Sequence, residues 1–199
     1  MSKEILLKIS GVPVYWDGSV IEYTGEATVC ADGAPDAYGP NNSGMDWTEN
    51  AGYPGNWWGV VTDKYGNPIV QQEGYDGHPC PGLYVSCTCY GFPEYPEWDC
   101  RHWVDANTVD YSVIPSSVRQ AVPPKFMGCR AEVLDNKTGK LLDCVCAEVG
   151  PSSHLGELSI SACEYFGLDP SPKSGGSSDK KRFVYKFYPG EPAPGWKLI

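Results

Sequence analysis

The sequence predicts a mostly β protein: a single-domain β-barrel, with a double-psi arrangement as one way to close it, one packed helix and long loops. Three observations carry this expectation. Glycine (23) and proline (18) are abundant in 199 residues, and both punctuate turns and disfavour helix interiors. Thirteen tyrosines and seven tryptophans suit pleated, half-buried surfaces. About seven to nine short apolar runs, separated by turn signals, read as strands.

Taken in order, residues 1–26 read as a hairpin lead-in. Ile5, Leu7 and Ile9 alternate, and Tyr15-Trp16-Asp17-Gly18 supplies a turn. Residues 31–56 are irregular and rich in Gly, Pro, Asn and Asp, and a long loop in a compact domain is often functional. Residues 57–61 and 69–72 form a hairpin around Asp63-Lys64-Tyr65-Gly66-Asn67-Pro68. Residues 83–90 make another strand, followed by a loop over 91–102. Residues 111–114 form a short strand ending at Pro115, and 116–121 make one helical turn with a serine cap. Residues 129–134 and 141–149 pair around Asp135-Asn136-Lys137-Thr138-Gly139-Lys140. The main helix is expected over 158–167, with Ile160, Cys163 and Phe166 at helical spacing and Gly167 as its stop. A Ser/Gly-rich loop (170–181) and a last strand (182–187) complete the pattern. The chain divides into N-terminal strands (1–27) packed on a main domain (28–189), with a tail over 190–199.

The formal net charge of -10 argues against nucleic acid as a partner, since phosphate binding needs an excess of Lys and Arg. An acidic surface serves solubility, and it also favours cationic partners such as a polyamine sugar. No apolar run reaches the length of a membrane span, so no membrane partner is expected. Residues 1–11 lack the apolar core and cleavage site of a signal peptide. The expectation is synthesis in the cytoplasm, with release by lysis, by non-classical export or within a phage particle. Nine cysteines leave at least one unpaired in a monomer. No C-x-x-C occurs, so no metal and no cofactor are expected. Cys87/Cys89 and Cys144/Cys146 are spaced to face one side of a strand, as small buried hydrophobes.

The sharpest local feature runs over 144–161, C-V-C-A-E-V-G-P-S-S-H-L-G-E-L-S-I-S. Glu148 lies near a strand end, Gly150-Pro151 turns the chain, and Glu157 precedes the helix. Two carboxylates on either side of one turn can share a cleft, and glycoside hydrolysis needs such a pair. The plainer reading is a solvated strand-end glutamate and a favourable charge in a first helical turn.

Three blocks extend the feature. The first is Ala31-Asp32-Gly33-Ala34-Pro35-Asp36-Ala37-Tyr38, continuing through Ser43-Gly44-Met45-Asp46. The second is Gly55-Asn56-Trp57-Trp58-Gly59-Val60-Val61-Thr62-Asp63, with Gly66-Asn67-Pro68-Ile69-Val70-Gln71 after it. Cys80-Pro81-Gly82-Leu83-Tyr84-Val85-Ser86-Cys87-Thr88 and Val104-Asp105 lengthen it, and the third is the Glu148 to Ser159 stretch itself. Over residues 28–189 the ordered series resembles the fungal-type endo-chitosanases of glycoside hydrolase family 75. The resemblance implies an inverting two-carboxylate hydrolysis of β-1,4-linked glucosamine polymer, with Glu157 as general acid and Glu148 as general base. The chain departs from the family at one point, since Glu148 stands where the family has aspartate. Asp32, Asp46, Asp63 and Asp105 are candidates for binding glucosamine ammonium groups. The plainer role of Asp32 and Asp63 is in turns. Of Trp57 and Trp58 only one can face a cleft, because neighbours on a strand point oppositely; Trp58 is the candidate for sugar stacking. His154, between the glutamates, can tune them.

Two other readings compete. One is an enzyme acting on peptidoglycan, whose backbone also carries glucosamine. The other is non-catalytic: an inactive relative that binds glycan, or a structural protein assembled into a larger particle such as a phage.

Overall fold

The computed structural model describes residues 3–122 and 125–199; residues 1 and 2 of the expected N-terminal hairpin lie outside them. The protein is mostly β. The strands are β1 (Glu4–Ile9), β2 (Val12–Trp16), β3 (Ile21–Gly25), β4 (Thr28–Cys30), β5 (Gly52–Tyr53), β6 (Asn56–Trp57), β7 (Tyr111–Pro115), β8 (Cys129–Asp135), β9 (Leu141–Gly150), β10 (Glu157–Ser159) and β11 (Phe183–Pro192). Two short helices, α1 (Ser116–Ala121) and α2 (Ile160–Tyr165), accompany them.

Nine strands form one mixed sheet in the order β1-β2-β3-β11-β8-β9-β7-β10-β4. No pairing joins β1 to β4 among the described residues, so no sheet closes there and the expected barrel is not seen. The outer antiparallel strands follow side-chain alternation. Cys129, Ala131 and Val133 of β8 point inward with Phe183, Tyr185 and Phe187 of β11. Tyr23 of β3 stacks on Tyr185 at 5.2 Å between ring centroids. Strand β7 is buried along its whole length, as a strand covered on both faces should be. It runs parallel to β9 on one side and antiparallel to β10 on the other.

The hairpin of β8 and β9 forms where the sequence predicts it, around a turn whose Asp135 carboxylate accepts from the Lys137 amide and the Thr138 hydroxyl, both at 2.9 Å. Asp17 likewise organises the turn between β2 and β3, accepting from the Ser19 and Val20 amides.

Four local expectations need correction. The main helix begins at Ile160, because residues 157–159 are taken by pairing with β4 and β7. Ser159 then caps it, accepting from the Ala162 amide at 3.2 Å. No serine side chain caps α1, whose preceding residue is Pro115. The expected strands over 57–61, 69–72 and 83–90 shrink to β6 and isolated bridges, Val60 to Ser86, Thr62 to Pro68 and Val70 to Tyr84. Finally, Cys144 and Cys146 are buried on β9 as expected, but Cys87 and Cys89 lie on an irregular segment, where Cys89 is exposed. Residues 3–27 enter the main sheet through the pairing of β3 with β11. The C-terminal residues return to the core, where Trp196 packs on Tyr90 at 4.9 Å.

Candidate active site

A cleft of about 620 Å³ opens at the β9-β7-β10-β4 end of the sheet. Its wall and floor carry four carboxylates: Asp32, Asp46, Glu148 and Glu157.

Sheet pairing places the two glutamates. Glu148 of β9 is the register partner of Val113 on β7, just after a bulge in that pairing, and bulges re-aim side chains next to functional sites. On the other side of β7, Leu158 pairs with Ser112, and continuing that antiparallel register sets Glu157 beside Val113. Thr28 of β4 is the next partner of Glu157. Glu148, Val113, Glu157 and Thr28 therefore lie in one row across four strands, and all four line the cleft.

The approach to Glu157 is fixed by backbone contacts. Gly156 has φ +100°, and a Cβ there would fall 1.9 Å from the Glu26 carbonyl oxygen, so only glycine lets the chain pass. The Glu26 amide donates to the Leu155 carbonyl at 3.2 Å and the Thr28 amide to the Gly156 carbonyl at 3.0 Å. Gly150 serves the carboxylate itself: a Cβ there would stand 2.9 Å from Glu157 Oε2 and 2.9 Å from Val113 Cγ1.

Glu148 is 7% exposed and amply solvated by the protein. The Cys89 amide donates to Oε2 at 2.8 Å, the Cys89 thiol meets Oε1 at 2.9 Å, and the Val149 amide donates to Oε1 at 2.6 Å. Burial nonetheless raises Glu148 to about 8, with the Asp32 charge adding to it. Glu157 is raised to about 8 by the same two causes, burial first and Asp32 second. Asp32 is itself raised to about 6 by burial, and the Tyr38 hydroxyl, donating at 2.7 Å, opposes the rise. A set of carboxyl groups with raised affinity for protons in one cleft is the electrostatic pattern of general acid–base sites.

Asp46 is buried and accepts from the Trp47 amide at 2.7 Å and the Asn50 side chain at 2.9 Å. His154 lines the cleft rim. Its Nε2 is 2.9 Å from Thr28 Oγ1 and its Nδ1 is 3.4 Å from Glu26 Oε1. Trp58 is exposed over the cleft, held by its indole N–H donating to the Asn50 carbonyl at 2.8 Å, while Trp57 packs against the core and Tyr84.

Six of the eight candidate residues from the sequence thus meet in one cleft: Glu148, Glu157, Asp32, Asp46, Trp58 and His154. Asp63 and Asp105 do not line it. Asp63 is an exposed turn residue accepting from the Tyr65 and Asn67 amides. Asp105 likewise accepts from the Asn107 amide and the Thr108 hydroxyl. Sequence reasoning did not single out Tyr38, Asn50, Thr28 or Cys89 for the site. Tyr38 sits at the end of the first quoted block, but Cys89 is 59 positions from Glu148 and carries no local signal.

Among the described residues no group of three or more His, Cys, Asp or Glu is placed to hold a metal ion, and no helix is long and apolar enough to cross a membrane. Comparison with known protein families finds none that matches the chain. Comparison with curated proteins likewise finds no match.

Proposed function

We propose that this protein is an endo-acting glycoside hydrolase that cleaves a β-1,4-linked glucosamine polymer with inversion. The observation that carries the reading is the placement of Glu148 and Glu157 on the two strands flanking β7, facing one cleft. Two strand intervals separate their backbones by about 9–10 Å. Inverting glycosidases hold their carboxyl groups about 6.5–9.5 Å apart, leaving room for the attacking water.

Glu157 is the general acid. Burial and Asp32 keep its proton on at neutral pH, as protonating a leaving oxygen requires. Glu148 is the base. Its three hydrogen-bond donors favour the ionised form and oppose the rise that burial and Asp32 cause. The sugar is held by Trp58, whose face is open to the cleft, and its ammonium groups by Asp32 and Asp46. The acidic charge of the chain suits a polycationic substrate.

One observation favours a second reading. Both oxygens of Glu148 are already engaged by protein donors, which suits a glycan-binding module without turnover. Hydrolysis of soluble chitosan, read as new reducing ends for wild type and Glu157→Gln, decides between them. Turnover that vanishes in the variant supports the enzyme. Binding without turnover on chitosan and on peptidoglycan overturns it in favour of the module.

A further inference from the structure

Cys89 touches Glu148 twice, through its amide and through its thiol. Any residue would supply the amide; the thiol contact belongs to cysteine. The segment that carries it is tied down on both sides. The Cys87 amide donates to the Gly59 carbonyl at 3.1 Å, and the Tyr90 amide to the Ala147 carbonyl of β9 at 3.0 Å. The Thr88 hydroxyl closes a local bond to the Tyr90 carbonyl at 2.7 Å. Cys89 is thus presented to β9 by a braced loop.

We infer that Cys89 is the positioning residue of Glu148: its amide and thiol together fix the carboxylate's place and favour its ionised form. The pair is matched in length. An aspartate at 148 would draw the carboxylate back by about 1.5 Å, one C–C bond, and lose one or both contacts. Burial, followed by the Glu148 charge, pushes the Cys89 thiol up to about 12, so the sulfur keeps its proton and stays a donor. The other titratable groups facing the pair are Asp32 across the cleft, Cys87 beside it, the buried Cys30, Tyr111 and Cys146 behind Glu148, and Arg119 of α1, which opposes the rise at Cys89. Of the nine cysteines only Cys89 is exposed as a residue, while its sulfur is turned in toward Glu148.

The contact stands independently of the glycosidase reading; its effect on turnover rests on that reading. Two measurements on the full chain separate them. The first is the rate at which iodoacetamide alkylates Cys89 at alkaline pH, where Glu148 is ionised, followed by mass spectrometry of the Cys89 peptide. Glu148→Gln removes the negative charge and should speed alkylation about three- to tenfold, as the thiolate becomes easier to form. An unchanged rate overturns the inference. The second is the pH profile of chitosan turnover for Cys89→Ala and Cys89→Ser. Loss of a donor to the ionised form raises the pKa of the base, so the acidic limb moves to higher pH in Cys89→Ala and returns in Cys89→Ser, whose hydroxyl still donates. An Ala profile that matches wild type overturns it. If wild type turns over no glycan, the glycosidase reading fails, and the alkylation rates still decide whether Cys89 holds Glu148.

Discussion

Glu148 and Glu157 stand on the two strands that flank β7, so one strand separates them although they are nine positions apart in sequence with a Gly-Pro turn between them. The mutual placement is set by sheet hydrogen bonds, which are rigid, and less by the turn. Variants that disturb the sheet row should therefore damage the site more than variants of the turn tip at Ser152 or Ser153.

Gly150→Ala tests the space behind Glu157. The added methyl would meet Glu157 Oε2 and Val113 Cγ1 at 2.9 Å, so the carboxylate must shift. Misplacement of that order costs about 10- to 100-fold in rate. Turnover of soluble chitosan should fall accordingly, while the far-UV spectrum and the cooperativity of unfolding stay as in wild type.

Glu157→Gln should melt higher than wild type at neutral and alkaline pH. A carboxyl group raised from 4.5 to about 8 in the fold stabilises the native state less as pH rises, because between these values the native state binds the proton and the unfolded state does not. The gap in Tm should be absent below pH 4.5, grow through the interval and level off above about 8. Each kcal/mol of relief is worth about 2–4 °C for a chain of this size. A pH-independent gap would contradict the assignment.

Trp58→Ala separates substrate contact from stability. The side chain is 55% exposed, so thermal unfolding should move little. On the proposed glycosidase reading, loss of this aromatic face, worth about 0.5–1.5 kcal/mol, should raise KM about 2- to 10-fold with a smaller change in kcat.

Asp135→Asn should weaken the fold without touching the cleft. Asp135 is fully buried and receives two bonds from Arg182, at 3.0 and 2.8 Å. Removing the carboxylate charge takes the ion partner from the partly buried Arg182 guanidinium and costs about 1–3 kcal/mol. Arg182 holds the Asp135 carboxyl down at about 2. This contribution is present above the ordinary value of 3.8 and is lost as pH falls toward 2, so wild type and variant should converge in acid. Urea unfolding at neutral and acidic pH measures both.

The β8–β9 hairpin was legible because it is local: alternation on both arms and an Asp-Asn-Lys-Thr-Gly-Lys turn suffice. The cleft carboxylates were legible through the ordered blocks that carry Asp32, Asp46, Glu148 and Glu157. The strand at 157–159 was not, because Leu158 and Ile160 fit a helical pattern and only pairing with β4 and β7 extends the backbone there. The bridges over 60–86 were over-read as strands, since apolar alternation does not say whether a partner exists along the whole run. Asp63 and Asp105 were drawn into the site by their neighbours in the blocks, while their carboxylates are used up by the turns they cap.

The pairing of Thr28 with Glu157 has a consequence for biosynthesis. The row of residues that lines the cleft needs a strand from the first sixth of the chain to add beside one from its last quarter. A nascent chain halted before residue 157 has no cleft floor, whatever structure its earlier parts have gained. Forming the site therefore requires closing a loop of more than a hundred residues, an entropic cost that local hairpins do not bear.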